Sequence, residues 1–86
     1  MKNKYVLGET VYYYKSNEYG DSFIPEIIEV KIEEIKLSKT FVIYNEKYHE
    51  GSLVKTIEEA KAELISEEKT IFEKKEKKIK NIIPAK

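Results

Sequence analysis

Tyrosine dominates the residues of this chain that could do chemistry. In "ETVYYYKSNEYGDS", residues 9–22, four of the seven tyrosines fall within eight positions: Tyr12, Tyr13, Tyr14 and Tyr19. A tyrosine couples a large apolar ring to one hydroxyl, which suits a packed core and an interface hot spot equally. Successive residues of a strand point to opposite faces. With Val11 and Tyr13 directed to a core beside Leu7, Tyr12 and Tyr14 point the other way. There they either cover a sheet face beneath a helix or form an exposed aromatic patch with Tyr19, Tyr44 and Tyr48 around a groove. The second reading makes Tyr12, Tyr14, Tyr19, Tyr44 and Tyr48 the candidate partner-binding residues.

The other reactive types are sparse or diffuse. His49 is the one histidine and the chain has no cysteine, so neither a thiol nucleophile nor a Cys/His metal set can be assembled. General-base work by His49 needs an orienting partner. Glu50 follows it, but adjacent strand residues face apart. The carboxylates Glu58, Glu59, Glu63, Glu67 and Glu68 lie on the exterior of an expected helix, either as a solvated face or as an acidic strip. No phosphate-cradling glycine loop and no H-E-x-x-H is present. The expectation is a protein without catalytic residues, metal or cofactor.

The net charge is zero, yet it is unevenly spread. Residues 1–56 carry −1, residues 57–73 carry −4 and residues 74–86 carry +5. The stretch "KKEKKIK", residues 74–80, holds five lysines in seven positions: Lys74, Lys75, Lys77, Lys78 and Lys80. Either they complement a helix C-terminus or they contact a phosphate backbone or an acidic partner. All sixteen cationic side chains are lysine. Bidentate reading of guanine edges or phosphates by arginine is therefore excluded, and sequence-specific DNA binding is disfavoured.

These residues need elements to position them. Gly8 supplies a turn, and residues 10–15 read as a β-branched and aromatic strand. Residues 16–22 read as a polar loop. In "IIEVKIEEIKL", Ile28, Val30 and Ile32 alternate with Glu29, Lys31 and Glu33. The phase slips by one residue at Glu33 and Glu34, which suggests a bulge or a sharp bend. Pro25 stands at the start of this strand, where a missing N–H costs least. Ser38 and Lys39 make a turn and residues 40–44 a strand. Residues 45–47 turn again, and residues 48–54 form a short last strand broken by Gly51. At Thr56 the period changes. Thr56 and Glu59 form a capping box, and Ile57, Ala60, Leu64, Ile71 and Phe72 recur at helical spacing. The spacing predicts one helix over 57–80, about 36 Å long.

A Gly8-Glu9-Thr10-Val11 opening, a polar loop, a long bent strand, two short strands and a "TIEEA" helix form a recognisable order. It resembles small SH3-like β-barrels of the Tudor or KOW type with an appended helix. In such barrels a Gly–Asp–x–Val segment often stands where residues 8–11 stand here. It also resembles short uncharacterised proteins of phages and prophages of low-GC Gram-positive bacteria. The resemblance covers residues 5–75 and brings no catalytic residues. A KOW motif proper has a further glycine after the start of the bent strand. None lies between Gly20 and Gly51, which weakens any carry-over of ribosome or RNA-polymerase binding.

The expected fold is α+β: one domain over 1–86, with a small antiparallel SH3-like barrel or meander of four to five strands at 5–55. One long C-terminal helix over 57–80 and a basic tail at 81–86 follow it. The expected function is that of a non-catalytic protein–protein interaction module with an unidentified protein partner. A phage-encoded protein that modulates a host or defence protein, such as an inhibitor of a defence nuclease, fits the size and the lack of a catalytic set. Two alternatives stand beside it. One is a weak, sequence-neutral nucleic-acid binder using lysines and stacked tyrosines. The other is a homo-oligomer paired through Ile57, Leu64, Ile71 and Phe72. The N-terminus has no apolar run of signal-peptide length and no stretch approaches the roughly 20 apolar residues of a membrane span, so a cytoplasmic location is expected.

Overall fold

A computed structural model describes residues 3–20, 22–67 and 73–85. Strands β1 (Thr10–Tyr19) and β2 (Ser22–Lys31) form a long antiparallel hairpin. The ladder runs from Thr10↔Lys31 to Tyr19↔Ser22, so only Gly20 and Asp21 link the two strands. Gly20 has φ +59, the left-handed region that such a short link favours and glycine enters without a Cβ penalty. The loop expected at 16–22 is therefore mostly strand. Ser16, Asn17 and Glu18 are weak strand formers, but they pair with Pro25, Ile24 and Phe23, and that pairing overrides local preference.

Strands β3 (Ile35–Leu37), β4 (Val42–Tyr44) and β5 (Tyr48–His49) form a second antiparallel sheet. A 3-10 turn, Glu50–Ser52, returns the chain to β6 (Leu53–Val54), which pairs with β1 at Tyr12 and Tyr13. Helices α1 (Ile57–Glu67) and α2 (Glu73–Lys80) complete the chain.

Two expectations fail here. The strands do not make one barrel or meander. They make two sheets of three strands, ordered β2-β1-β6 and β3-β4-β5. The phase slip at Glu33 and Glu34 marks the departure from the first sheet, and Gly51 marks the return to it. Nor is there one long helix over 57–80. Ile79 is wholly buried in the same cluster as Phe23, Ile27, Ala60 and Leu64. A continuous helix of some 36 Å would carry Ile79 past the sheet, whereas two short helices lay Leu64 and Ile79 on one face. Ile71 and Phe72, two of the four residues expected to pair chains, lie outside the described residues, as does Glu68.

The hairpin is the middle layer of three. Its odd-numbered β1 and even-numbered β2 side chains face the second sheet, where Val11, Val30 and Ile32 meet Tyr5, Val42, Tyr44 and Leu53. Its opposite side faces the helices, with Tyr12 and Tyr14 packed against Phe23, Ile27, Ala60, Leu64 and Ile79. Burying both faces of one sheet lets a small chain build two apolar clusters.

Polar side chains fix the joints. Asn45, at φ 52, accepts the N–H groups of Glu33 and Glu34 through Oδ1 at 2.8 and 3.0 Å and donates Nδ2 to the Lys31 carbonyl at 2.9 Å. It thereby holds the bend between the sheets. The Thr56 hydroxyl accepts the Glu59 N–H at 3.1 Å, capping α1 as expected. Beyond α2 the chain crosses to the outer edge of β2. There the Ala85 carbonyl accepts the Glu29 N–H at 2.6 Å and the Ala85 N–H donates to the Ile27 carbonyl at 2.9 Å.

Candidate functional site

The five candidate tyrosines do not form one patch. Tyr12 and Tyr14 are half-buried beneath the helices. Burial, and then the nearby Glu63 and Glu67 carboxylates, raise the Tyr14 hydroxyl above the ordinary tyrosine range. Tyr44 is fully buried. Its hydroxyl donates to Glu50 Oε2 at 2.6 Å and accepts the Tyr5 N–H at 3.1 Å. Its pKa is raised by burial first and the Glu50 hydrogen bond second. Tyr19 stands exposed at the hairpin end, at 68%. Tyr48 is half-buried, with its ring 5.0 Å from that of Tyr13 at an angle of 51°. The outward aromatics of β1 thus pack under the helices, and the inward one, Tyr13, reaches a cleft.

That cleft is a concavity of about 290 Å³. Tyr13 and Lys15 of β1, Ile28 of β2, Lys47, Tyr48 and His49 around β5, and Ser52 line it. Strand alternation puts Tyr13 and Lys15 on one face of β1, and register sets Ile28 opposite Tyr13. The β4–β5 turn brings Lys47 Nζ over the Tyr48 ring, 5.3 Å from its centroid. Lys15 Nζ lies 3.3 Å from Glu26 Oε2, an exposed pair that is easily exchanged for another carboxylate. The lining includes two lysines and no acidic residue. Exposed Ile24 lies farther along the hairpin on the same face of the sheet.

The lysine stretch is less available than its composition implies. Lys75 Nζ lies 2.6 Å from Glu18 Oε1 and 5.1 Å from the Phe23 ring centroid. Lys78 donates to the Phe23 carbonyl at 3.2 Å, and Lys80 pairs with Glu76 at 2.8 Å. The Lys75 and Lys78 contacts dock α2 on the hairpin, while the Lys80–Glu76 pair lies within α2. Lys74 and Lys77 are exposed and have no partner among the described residues. Glu58, Glu59, Glu63 and Glu67 are exposed on α1.

Of the cleft lining only Tyr48 was a candidate from the sequence; Tyr13, Lys15, Ile28, Lys47, His49 and Ser52 were missed as members of a site. Lys15 shares the facing of Tyr13, a signal available from alternation alone. Lys47 and Ser52 reach the cleft only because the chain crosses between sheets, which no local pattern reports.

Among the described residues no three His, Asp or Glu side chains cluster as metal ligands would, and no helix is long and apolar enough to cross a membrane. Comparison with protein-family models, with curated proteins and with solved structures finds no match.

Proposed function

We propose that this chain is a non-catalytic protein-interaction module that grips an acidic partner segment in the cleft between Tyr13 and Tyr48. One observation carries the reading: Tyr13, Tyr48 and Ile28 line one concavity together with two lysines and no acidic residue, and Lys47 Nζ lies over the Tyr48 ring. An apolar body with charged groups at its rim describes how interface hot spots are built. The lysines supply attraction and orientation, while Tyr48 and Ile28 supply area to desolvate. Exposed Ile24 and Tyr19 extend the apolar surface along the hairpin.

Capture from nuclease-treated lysate tests this reading. Wild type, Lys47→Glu and Tyr48→Ala serve as baits, with circular dichroism on each. A protein retained by wild type and lost from both folded variants supports the module. Retention that disappears with nuclease treatment, or that survives both substitutions, overturns it.

A further inference from the structure

The two edges of the hairpin are not equivalent. On β2, the Glu29 N–H and the Ile27 carbonyl point outward, since both bond to Ala85. Backbone direction alternates in an antiparallel ladder, so Phe23 and Pro25 share that outward edge. Each is closed. The Phe23 carbonyl accepts Lys78 Nζ at 3.2 Å, Pro25 has no N–H to offer, and Ala85 occupies the remainder. Proline and lysine at a strand edge are the usual means of preventing pairing.

The same alternation directs Ile28, Glu26 and Ile24 to β1, where they pair with Tyr13, Lys15 and Asn17. The even-numbered residues of β1 then turn their backbone groups away from β2. Tyr12 meets β6, but β6 ends its pairing at Tyr13↔Leu53. Along Ser16 and Glu18 no strand follows among the described residues. Among the described residues the β2 edge is closed by Lys78, Pro25 and Ala85, while the β1 edge at Ser16 and Glu18 has no strand beside it and borders the cleft through Lys15 and Ser52.

We infer that the open edge of β1 at Ser16 and Glu18 accepts an extended acidic peptide as an added strand, continuing the line that β6 leaves at Leu53. This rests on the cleft reading above and specifies how the partner lies. A strand there bonds to the Ser16 and Glu18 backbone and turns alternate side chains toward the cleft face. Carboxylates at those alternate positions meet Lys15 and Lys47, whereas basic side chains meet two like charges. The added strand forms no bond with β2, so binding leaves the hairpin register unchanged.

The test uses the full chain and a synthetic octapeptide alternating glutamate and valine, with titration calorimetry and amide-resolved hydrogen exchange. Three controls accompany it: a lysine–valine version, a version N-methylated at alternate backbone nitrogens, and the Ser16→Pro variant. Ser16 turns its N–H outward, so proline there removes an edge donor without touching the β1–β2 ladder. Strand addition predicts binding at a Kd of about 1 mM or tighter, slowed exchange at Ser16 and Glu18, and a loss of about tenfold for N-methylated peptide and for Ser16→Pro. Equal binding of the N-methylated peptide, with changes at Tyr48 and Lys47 alone, overturns strand addition and leaves the cleft reading standing. No binding of the acidic peptide, or equal binding of the lysine version, overturns both. Slowed exchange at Ser16 without peptide that grows with protein concentration overturns the proposal in favour of a second copy on this edge.

Discussion

The ring of Tyr13 rests 5.0 Å from that of Tyr48, tilted by 51°, and so ties the middle strand of the first sheet to the edge strand of the second. Such a pair is worth about 0.5–1.5 kcal/mol beyond the area it buries. It also sets the width of the cleft, because each ring forms part of its lining. Tyr48→Phe keeps the pair and leaves stability within about 0.5 kcal/mol. Tyr48→Ala lowers stability and opens the cleft together. Urea unfolding of the two variants separates ring from hydroxyl.

Asn45 carries the joint between the two sheets. It makes three hydrogen bonds across the bend at Glu33 and Glu34 while holding φ 52. Asn45→Ala loses the bonds and meets the left-handed backbone penalty, for about 2–4 kcal/mol. Asn45→Gly loses the bonds but enters that region freely, so it costs about 1 kcal/mol less. Equal stability of the two variants in urea would show that backbone conformation contributes nothing there.

Alkaline pH tests the buried tyrosines. Tyr5 is fully buried, and its hydroxyl donates to the Leu53 carbonyl at 2.8 Å. Burial first, then Tyr44 and Glu50, push its pKa up to about 12. Tyrosine is neutral when protonated, so a raised folded pKa means that the unfolded chain releases its proton first. The contribution is complete below about pH 10 and is lost as pH rises toward 12, about 2–3 kcal/mol in all. Tyr5→Phe is less stable than wild type at pH 8 and shows a shallower decline between pH 10 and 12. A decline of equal steepness in both proteins contradicts this assignment.

The C-terminal helix divides cleanly by face. Ile79 is wholly buried against Phe23 and Leu64, so Ile79→Ala costs about 2–5 kcal/mol. Lys74 and Lys77 are exposed without partners among the described residues, so replacing both by alanine changes stability by less than about 0.5 kcal/mol. Thermal unfolding of these variants shows whether α2 belongs to the core. Equal effects would mean that it does not.

The hairpin's alternation was readable in the sequence. Val11 and Tyr13 share one face, as do Ile28, Val30 and Ile32, and Thr56 begins the helical region where its capping pattern places it. Period-two patterning reports which side chains share a face. It does not report what covers each face, so Tyr12 and Tyr14 offered no choice between helix and solvent. The break between α1 and α2 escaped for a related reason: Ile79 enters the core through contact with Phe23 and Ile27, more than fifty positions away in the chain. Ser16, Asn17 and Glu18 read as loop because local preference is polar, while the register with Ile24 and Phe23 makes them strand. The cleft needs residues from β1, β2 and the β4–β5 turn, a juxtaposition set by the crossing between two sheets.

The most direct measurement of the central claim is an amide-resolved NMR titration of the isotope-labelled chain with the acidic octapeptide, and in parallel with an oligothymidine of similar length. The cleft account predicts shifts centred on Tyr13, Lys15, Lys47, Tyr48 and His49 with the peptide, and a loss of about fivefold or more in affinity for Lys47→Glu. Shifts centred on Lys74 and Lys77 with the oligothymidine, stronger than any the peptide causes and steeply weakened by salt, would contradict it.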